Sequence, residues 1–280
     1  MADPHAPEPL VCLHGLGGSA RAWDRVLPGL RARHAVRTVS LRGHVGGELF
    51  PVRVRPSVPA LVDGVEAALD AAGIGRAHLV GNSLGGWLAF ELAARGRALS
   101  VVALSPAGGW RPDSEEIHRV WRLLVPAHDL ARRTERHLDR AVRLAPARKA
   151  LLRLGVEHGD RLEPAEAADF LRDNARCRFL RPLLRSAIDY DFTVPEPDVP
   201  VRIAWSAHDR LLPAPLYAER FRTLFPDAGR VRLPGVEHVP MYDDPALVVR
   251  TILDVTAPDA VPTAPDAVPE RAGDPVPAHP

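Results

Sequence analysis

The chain has 280 residues, enough for one large domain or two small ones, and 46% of them are hydrophobic against 25% charged, the balance of a soluble globular protein with an ordinary core. Its formal net charge is +1, with 36 basic residues against 35 acidic ones, which gives no pull toward nucleic acid or an anionic membrane. The two cysteines, Cys12 and Cys177, are too few for a disulfide scaffold and fit a reducing, cytoplasmic setting.

Residues 1–9 are polar and proline-rich and read as a flexible N-terminus; no charged segment leads into an apolar run, so no secretory signal is expected. No run of about 18 apolar residues marks a membrane-spanning helix. Leu10-Val11-Cys12-Leu13 is the first strand candidate, ended by His14-Gly15. The loop Gly15-Leu16-Gly17-Gly18-Ser19 leads into a helical stretch from 20 to about 33, and Val36-Arg37-Thr38-Val39 is a second strand. A loop opened by Arg42-Gly43-His44 runs to Pro59. Ser57 can cap a helix over about 58–72, whose residues Leu61, Val62, Val65, Ala68 and Leu69 share one face, and Gly73 stops it. Ala77-His78-Leu79-Val80 is a third strand, running directly into Gly81-Asn82-Ser83 and a helix over 84–95. Residues 100–104 form a fourth strand. Short apolar strands alternating with helices predict a parallel sheet covered on both faces.

The rhythm changes near Pro106. Residues 111–191 carry helical patterns and no convincing strand, divided at Pro126, Pro146, Gly155, Pro164 and Pro182. It then returns: a strand over 199–205, a helix over 213–225, a strand over 230–233 and a last helix over 245–255. The expected organisation is an α/β core at 10–106 and 196–255, a helical insertion at 107–195, and a tail at 256–280. That tail repeats Thr-Ala-Pro-Asp-Ala-Val-Pro and reads as extended, disordered chain.

Gly81-Asn82-Ser83-Leu84-Gly85 lies between a buried strand and a helix. A serine on so sharp a turn is held in a strained conformation with its hydroxyl above the sheet edge, and Gly81 and Gly85 leave room for neighbouring backbone. A serine hydroxyl needs a base within hydrogen-bond reach. Of 12 histidines, His238 stands out, in the loop after the last strand. Asp209, in the loop after the strand ending at Trp205, is the carboxylate that would orient it. The chain order Ser83, Asp209, His238 is the order expected on such a sheet. Backbone N–H groups of Leu84 and Leu16 are the candidates for holding a developing oxyanion. His14 is read as a loop-shaping residue rather than a proton carrier.

On these residues the chain resembles the α/β-hydrolase fold superfamily, and among it the capped, esterase-like serine members. The matching pieces are Leu13-His14-Gly15-Leu16-Gly17-Gly18, Leu41-Arg42-Gly43-His44, Gly81-Asn82-Ser83-Leu84-Gly85-Gly86, Ser206-Ala207-His208-Asp209 and Gly235-Val236-Glu237-His238-Val239-Pro240. The resemblance implies a mostly parallel eight-stranded sheet with a helical cap inserted after its sixth strand. Two departures, Ser40 before Leu41-Arg42-Gly43-His44 and Val45 after it, leave the catalytic positions untouched. Relatives with an aspartate nucleophile, the dehalogenase and epoxide hydrolase types, are disfavoured by the serine at 83.

Gly15-Leu16-Gly17-Gly18-Ser19-Ala20 also fits a dinucleotide fingerprint, but Ser40 and Arg42 stand where its acidic residue belongs. No pattern suggests a metal site, and no cofactor is expected. The partner expected is a small acyl substrate, with neither nucleic acid nor membrane insertion, and the oligomeric state is open. Trp110, Trp121, Leu123, Leu124, Phe170, Phe179 and Leu180 are candidates for an apolar acyl or alcohol pocket or for cap core. Ester, thioester, lactone, amide, carbon–carbon and perhydrolase chemistry all stay open, as does a receptor-like protein with little turnover.

Overall fold

The computed structural model describes residues 7–257, together with the backbone of 268–269. Six strands, β1 (Pro9–Leu13), β2 (Ala35–Val39), β3 (Ala77–Asn82), β4 (Ala98–Leu104), β5 (Val201–Ser206) and β6 (Gly229–Leu233), form a parallel sheet in the order β2-β1-β3-β4-β5-β6. At its edge, β7 (Val268–Pro269) pairs antiparallel with Val231 and Arg232 of β6. The eight strands implied by the resemblance are therefore not present among the described residues. The six strand candidates legible in the sequence correspond to the six parallel strands, and among the described residues only the short β7 joins them. The flexible N-terminus expected at 1–9 lies outside the described residues except for 7–9, and the tail expected at 256–280 except for 256–257 and 268–269.

Successive side chains of a strand point to opposite faces, and in the central strands both faces are buried. Val11, Leu13, Leu79, Val101, Ala103, Ile203 and Trp205 pack on one side; Leu10, Cys12, Val80, Val102, Leu104, Ala204 and Leu233 pack on the other. The expected helix over 20–33 is instead a 3-10 turn (Ala20–Trp23), capped by the Ser19 hydroxyl, followed by the short α1 (Leu27–Arg31). Pro28 explains the break: it lacks an N–H and is accommodated in the first turn of a new helix, not inside a continuing one. α2 (Val58–Ala71) starts where the sequence places it, with the Ser57 hydroxyl accepting from the Ala60 N–H at 3.3 Å.

α3 (Leu84–Ala94) follows β3 without an intervening loop. Between β4 and β5 lie α4 (Glu115–Thr134), α5 (Leu138–Ala141), α6 (Ala145–Leu152), α7 (Pro164–Arg176) and α8 (Leu180–Ile188). Two of the expected dividers do not divide. Pro126 sits inside α4, where the buried stripe Ile117, Val120, Val125, His128 and Ala131 sustains the helix through a lost hydrogen bond. Pro182 falls in the first turn of α8, where no helical carbonyl awaits its nitrogen. Part of this segment has a core of its own, from Leu138, Val142, Leu152 and Val156 to Leu162, Ala167 and Leu171. After β5 come α9 (Ala214–Leu224), then β6, α10 (Pro240–Asp243) and α11 (Pro245–Thr256).

Candidate active site

The turn between β3 and α3 is strained where the sequence places the strain. Ser83 has φ 55° and ψ −118°, a region that side-chain-bearing residues rarely occupy. It is pinned by its neighbours: its N–H donates to the Leu104 carbonyl at 2.9 Å, and its carbonyl accepts from Trp87 at 3.1 Å and from Ala107 at 3.0 Å. A Cβ on Gly81 would lie 2.1 Å from the Gly85 carbonyl oxygen, and one on Gly85 would lie 2.1 Å from that of Leu13. Both glycines are thus dictated by the close approach of α3 to the ends of β1 and β3.

Asp209 and His238 meet directly. The imidazole Nδ1 lies 2.8 Å from Asp209 Oδ2, and both residues are buried. A carboxylate only accepts, so Nδ1 carries the proton and Nε2 is left as a base. The other oxygen, Asp209 Oδ1, accepts from the Leu212 N–H at 2.6 Å, which fixes the carboxylate plane. Burial pulls the His238 pKa down, but the charge and hydrogen bond of Asp209, helped by the charge of Glu237, outweigh it and leave it above 6.5. Asn82, just before Ser83, donates its side-chain amide to the His238 carbonyl at 2.8 Å and to the Leu104 carbonyl at 3.1 Å. That amide ties the histidine loop to the serine turn. His238 Nε2 is buried without a hydrogen-bond partner, Ser83 Oγ included. Such bonds commonly close only when substrate arrives.

Leu84 opens α3, so its N–H has no helical carbonyl to bond. Leu16 lies across from it, and the side chains of Leu16, Ser83 and Leu84 line one pocket. Gly15 brings that loop close, since a Cβ there would lie 3.2 Å from Ser83 Cβ. His14 shapes the loop as expected: it lies 2.8 Å from the Gly15 carbonyl through Nδ1 and accepts the Leu41 N–H at 3.0 Å through Nε2. Burial, with the nearby His44, drives its pKa down to about 3, so it stays neutral. The dinucleotide reading finds no support here. The glycine loop leads into a 3-10 turn rather than an α-helix whose N-terminus could face a pyrophosphate. Among the described residues no group of three or more His, Cys, Asp or Glu side chains could hold a metal ion. No helix among the described residues is long and apolar enough to cross a membrane.

The pocket above Ser83 is narrow and partly open to solvent, with a cavity volume of about 40 Å³. Its walls come from α2 (Val58, Leu61), α3 (Trp87), α4 (Val120, Leu124), α8 (Leu183, Leu184, Ala187) and the loop after Asp209 (Leu211, Leu212), with Ala107 and Trp110 beside them. Ser83 is the one lining residue whose side chain offers a free polar group. The two indole N–H groups are already engaged, Trp87 with Glu91 at 3.1 Å and Trp110 with the Ala187 carbonyl at 3.3 Å. Of the seven side chains singled out in the sequence, only Trp110 and Leu124 line this pocket. Leu180 packs in the core, Trp121 and Leu123 pack half-buried against it, Phe179 stacks edge-on against Phe50, and Phe170 against Tyr242.

Three contributors escape sequence reading. Glu237, in the His238 motif, is fully buried beside the histidine; a charged residue in an otherwise apolar loop was its only signal. Asp173 of α7 accepts the Ser19 hydroxyl at 2.5 Å and pairs with Arg21 at 3.1 Å, holding the Leu16 loop from 154 residues away. Asn82 has no local signal for its bridge to His238.

The comparisons with known proteins agree with this architecture. The model of the alpha/beta hydrolase family matches residues 10–251. A protein described as "Epoxide hydrolase EphH" from Mycobacterium tuberculosis (strain ATCC 25618 / H37Rv) is 34% identical over 207 residues, covering 70% of this chain and 93% of the relative. A hydrolase from Pseudomonas aeruginosa PA01 superposes with a TM-score of 0.68 at 22% identity, covering 92% of both chains. The enol-lactonase of Burkholderia xenovorans LB400 gives 0.67 at 20% identity, covering 91% of this chain and 93% of its own, a likeness of fold alone. With the family match running from the first strand into the last helix, this chain belongs to the alpha/beta hydrolase family.

Proposed function

We propose that the chain is a serine hydrolase that cleaves uncharged carboxylic esters with an apolar acyl group, through an acyl-enzyme on Ser83. The observation that carries this reading is a serine on a strained turn, whose side chain alone offers a free polar group to an apolar pocket, beside a buried His238–Asp209 pair. In the proposed mechanism His238 Nε2 takes the Ser83 proton as Oγ adds to the ester carbonyl. The N–H groups of Leu16 and Leu84 receive the oxyanion. His238 then protonates the leaving alcohol, and Asp209 stabilises the imidazolium between the two transfers. Water, deprotonated by His238, adds to the acyl-enzyme and releases the acid. The helices from α4 to α8 act as a cap that selects the acyl chain.

The likeness to an epoxide hydrolase supports the fold and a hydrolytic activity, and the nucleophile separates the two chemistries. A carboxylate that opens an epoxide forms an ester, which water can cleave at the carbonyl. A serine hydroxyl would form an ether, which has no carbonyl for water to attack. No side chain of the pocket wall other than Ser83 could donate a proton to an epoxide oxygen.

The test is labelling with a fluorophosphonate together with turnover of p-nitrophenyl esters of graded chain length. Wild type should label and turn over, and Ser83→Ala should do neither, with a fall on the order of 10⁶ in kcat. Undiminished ester hydrolysis by Ser83→Ala, or diol formation from an epoxide by wild type, would overturn the reading. Labelling without turnover would make the protein a binding module on the same fold.

A further inference from the structure

Glu237 has no part in the steps above, yet it is fully buried next to His238. Both of its carboxylate oxygens are engaged by main-chain N–H groups. Oε1 accepts from Arg210 at 2.6 Å, and Oε2 accepts from His238 itself at 2.5 Å. Arg210 directly follows Asp209. One carboxylate therefore grips the loop after β5 and the loop after β6 at the residues where Asp209 and His238 must stay in register. Weaker ties run parallel to it, from the His208 N–H to the Val236 carbonyl at 3.1 Å and from the Ala207 N–H to that of Leu233 at 2.8 Å.

The charged surroundings are specific. Asp209 and His238 face Glu237 from the two loops. The Arg210 guanidinium lies 3.6 Å from Oε1 and is drawn outward by Glu157 at 2.6 Å, from the segment between α6 and α7. Glu157 also lies 3.5 Å from His208. Asp243 of α10 accepts the Glu237 N–H at 3.0 Å and those of Glu157 and His158 at 2.9 and 2.8 Å. Burial and the charge of Asp209 push the Glu237 carboxyl up to about 7, against the opposing pull of its two N–H donors and of His238.

We propose that Glu237 is a positioning residue, clamping the Asp209 and His238 loops in register and placing a second carboxylate beside the imidazole. This rests on the reading of His238 as the base for Ser83. A residue that served only for packing would hold the loops and leave the imidazole titration where it was.

Nuclear magnetic resonance titration tests the clamp and the charge without substrate. In wild type the amide protons of Arg210 and His238 should move together, with one midpoint near pH 7, because both donate to the same carboxyl. In Glu237→Gln the Arg210 amide should lose its transition, the His238 amide should keep only that of its own imidazole, and the His238 pKa should fall. Glu237→Asp keeps the charge and should hold the His238 pKa near wild type. On ester substrates, the acid limb of kcat/KM should follow the imidazole to lower pH in Glu237→Gln. Arg210 and His238 amides that titrate separately in wild type, a readout needing no variant, overturn the proposal; so does an unchanged His238 titration in Glu237→Gln. If wild type fails to turn over esters while the titrations behave as stated, the proposed function falls and the clamp stands. If turnover is normal but the titrations are flat, only the clamp falls.

Discussion

Gly85→Ala is the substitution in which fold and chemistry are most tightly joined. A Cβ built on Gly85 lies 2.1 Å from the carbonyl oxygen of Leu13, 2.5 Å from its carbonyl carbon and 2.9 Å from the carbonyl oxygen of His14. Carbon and carbonyl oxygen in favourable contact sit about 3.3 Å or more apart. All three obstacles are main-chain atoms at the end of β1, so no side-chain rotation relieves them. α3 must withdraw from β1 by about 1 Å. Overpacking of this kind costs about 1–3 kcal/mol, and the main-chain obstacle places it at the upper end. The same withdrawal carries the Leu84 N–H away from Leu16, whose loop continues from Leu13. A misplacement of about 1 Å in a reacting constellation costs on the order of 10² in rate. Urea unfolding and the rate of fluorophosphonate labelling under native conditions read the two effects separately. Gly73→Ala is the control: its φ is +69° with nothing within 4 Å of the added carbon, so it should lose about 1–2 kcal/mol and label at the wild-type rate. A Gly85→Ala protein with wild-type stability and labelling would refute the close-approach argument.

Asp209→Asn should lower kcat by about 10³–10⁴, because an amide N–H₂ facing Nδ1 forces the proton onto Nε2, where a base is needed; steady-state ester hydrolysis measures it. The free enzyme needs a neutral imidazole, and His238 is held above its ordinary pKa, so kcat/KM should rise with pH through a midpoint above 6.5; full activity at pH 6 would contradict this. Ala187→Leu fills the pocket from α8 and should cut kcat/KM for long acyl chains about tenfold or more while sparing acetate esters, read from a chain-length series. Asp173→Ala strands the buried Ser19 hydroxyl and should cost about 1–3 kcal/mol, with slower labelling as the Leu16 loop loosens; unchanged labelling would detach α7 from the site.

Local pattern made much of this protein legible in its sequence. The four central strands are short, largely apolar and buried runs, while the outer β2 and β6 are part exposed; burial on both faces of the central strands gives a doubly covered sheet. Ser57 announces a helix start because a hydroxyl there can satisfy an open N–H. Gly81 and Gly85 announce a turn that no larger residue could form. Asp209 and His238 were legible because each sits at the end of a strand of that sheet, where the topology brings the loops together. Proline was a poor guide to helix ends in α4, since a buried face outweighs one missing hydrogen bond.

The pocket and its supports were decided only by the tertiary structure. Its wall is assembled from α2, α3, α4, α8 and two loops, and no periodicity within one element says which of its apolar residues will face another element and which will face a void. Most of the aromatic and aliphatic side chains singled out in the insertion therefore became core, where close packing takes up their area. The Ser19–Asp173 contact spans 154 residues, and Glu237 acquires its meaning from an N–H of a different loop. The proposed nucleophile and its place in the chain are written locally; the shape around Ser83 and the charges around His238 are products of distance in space, which sequence distance does not encode.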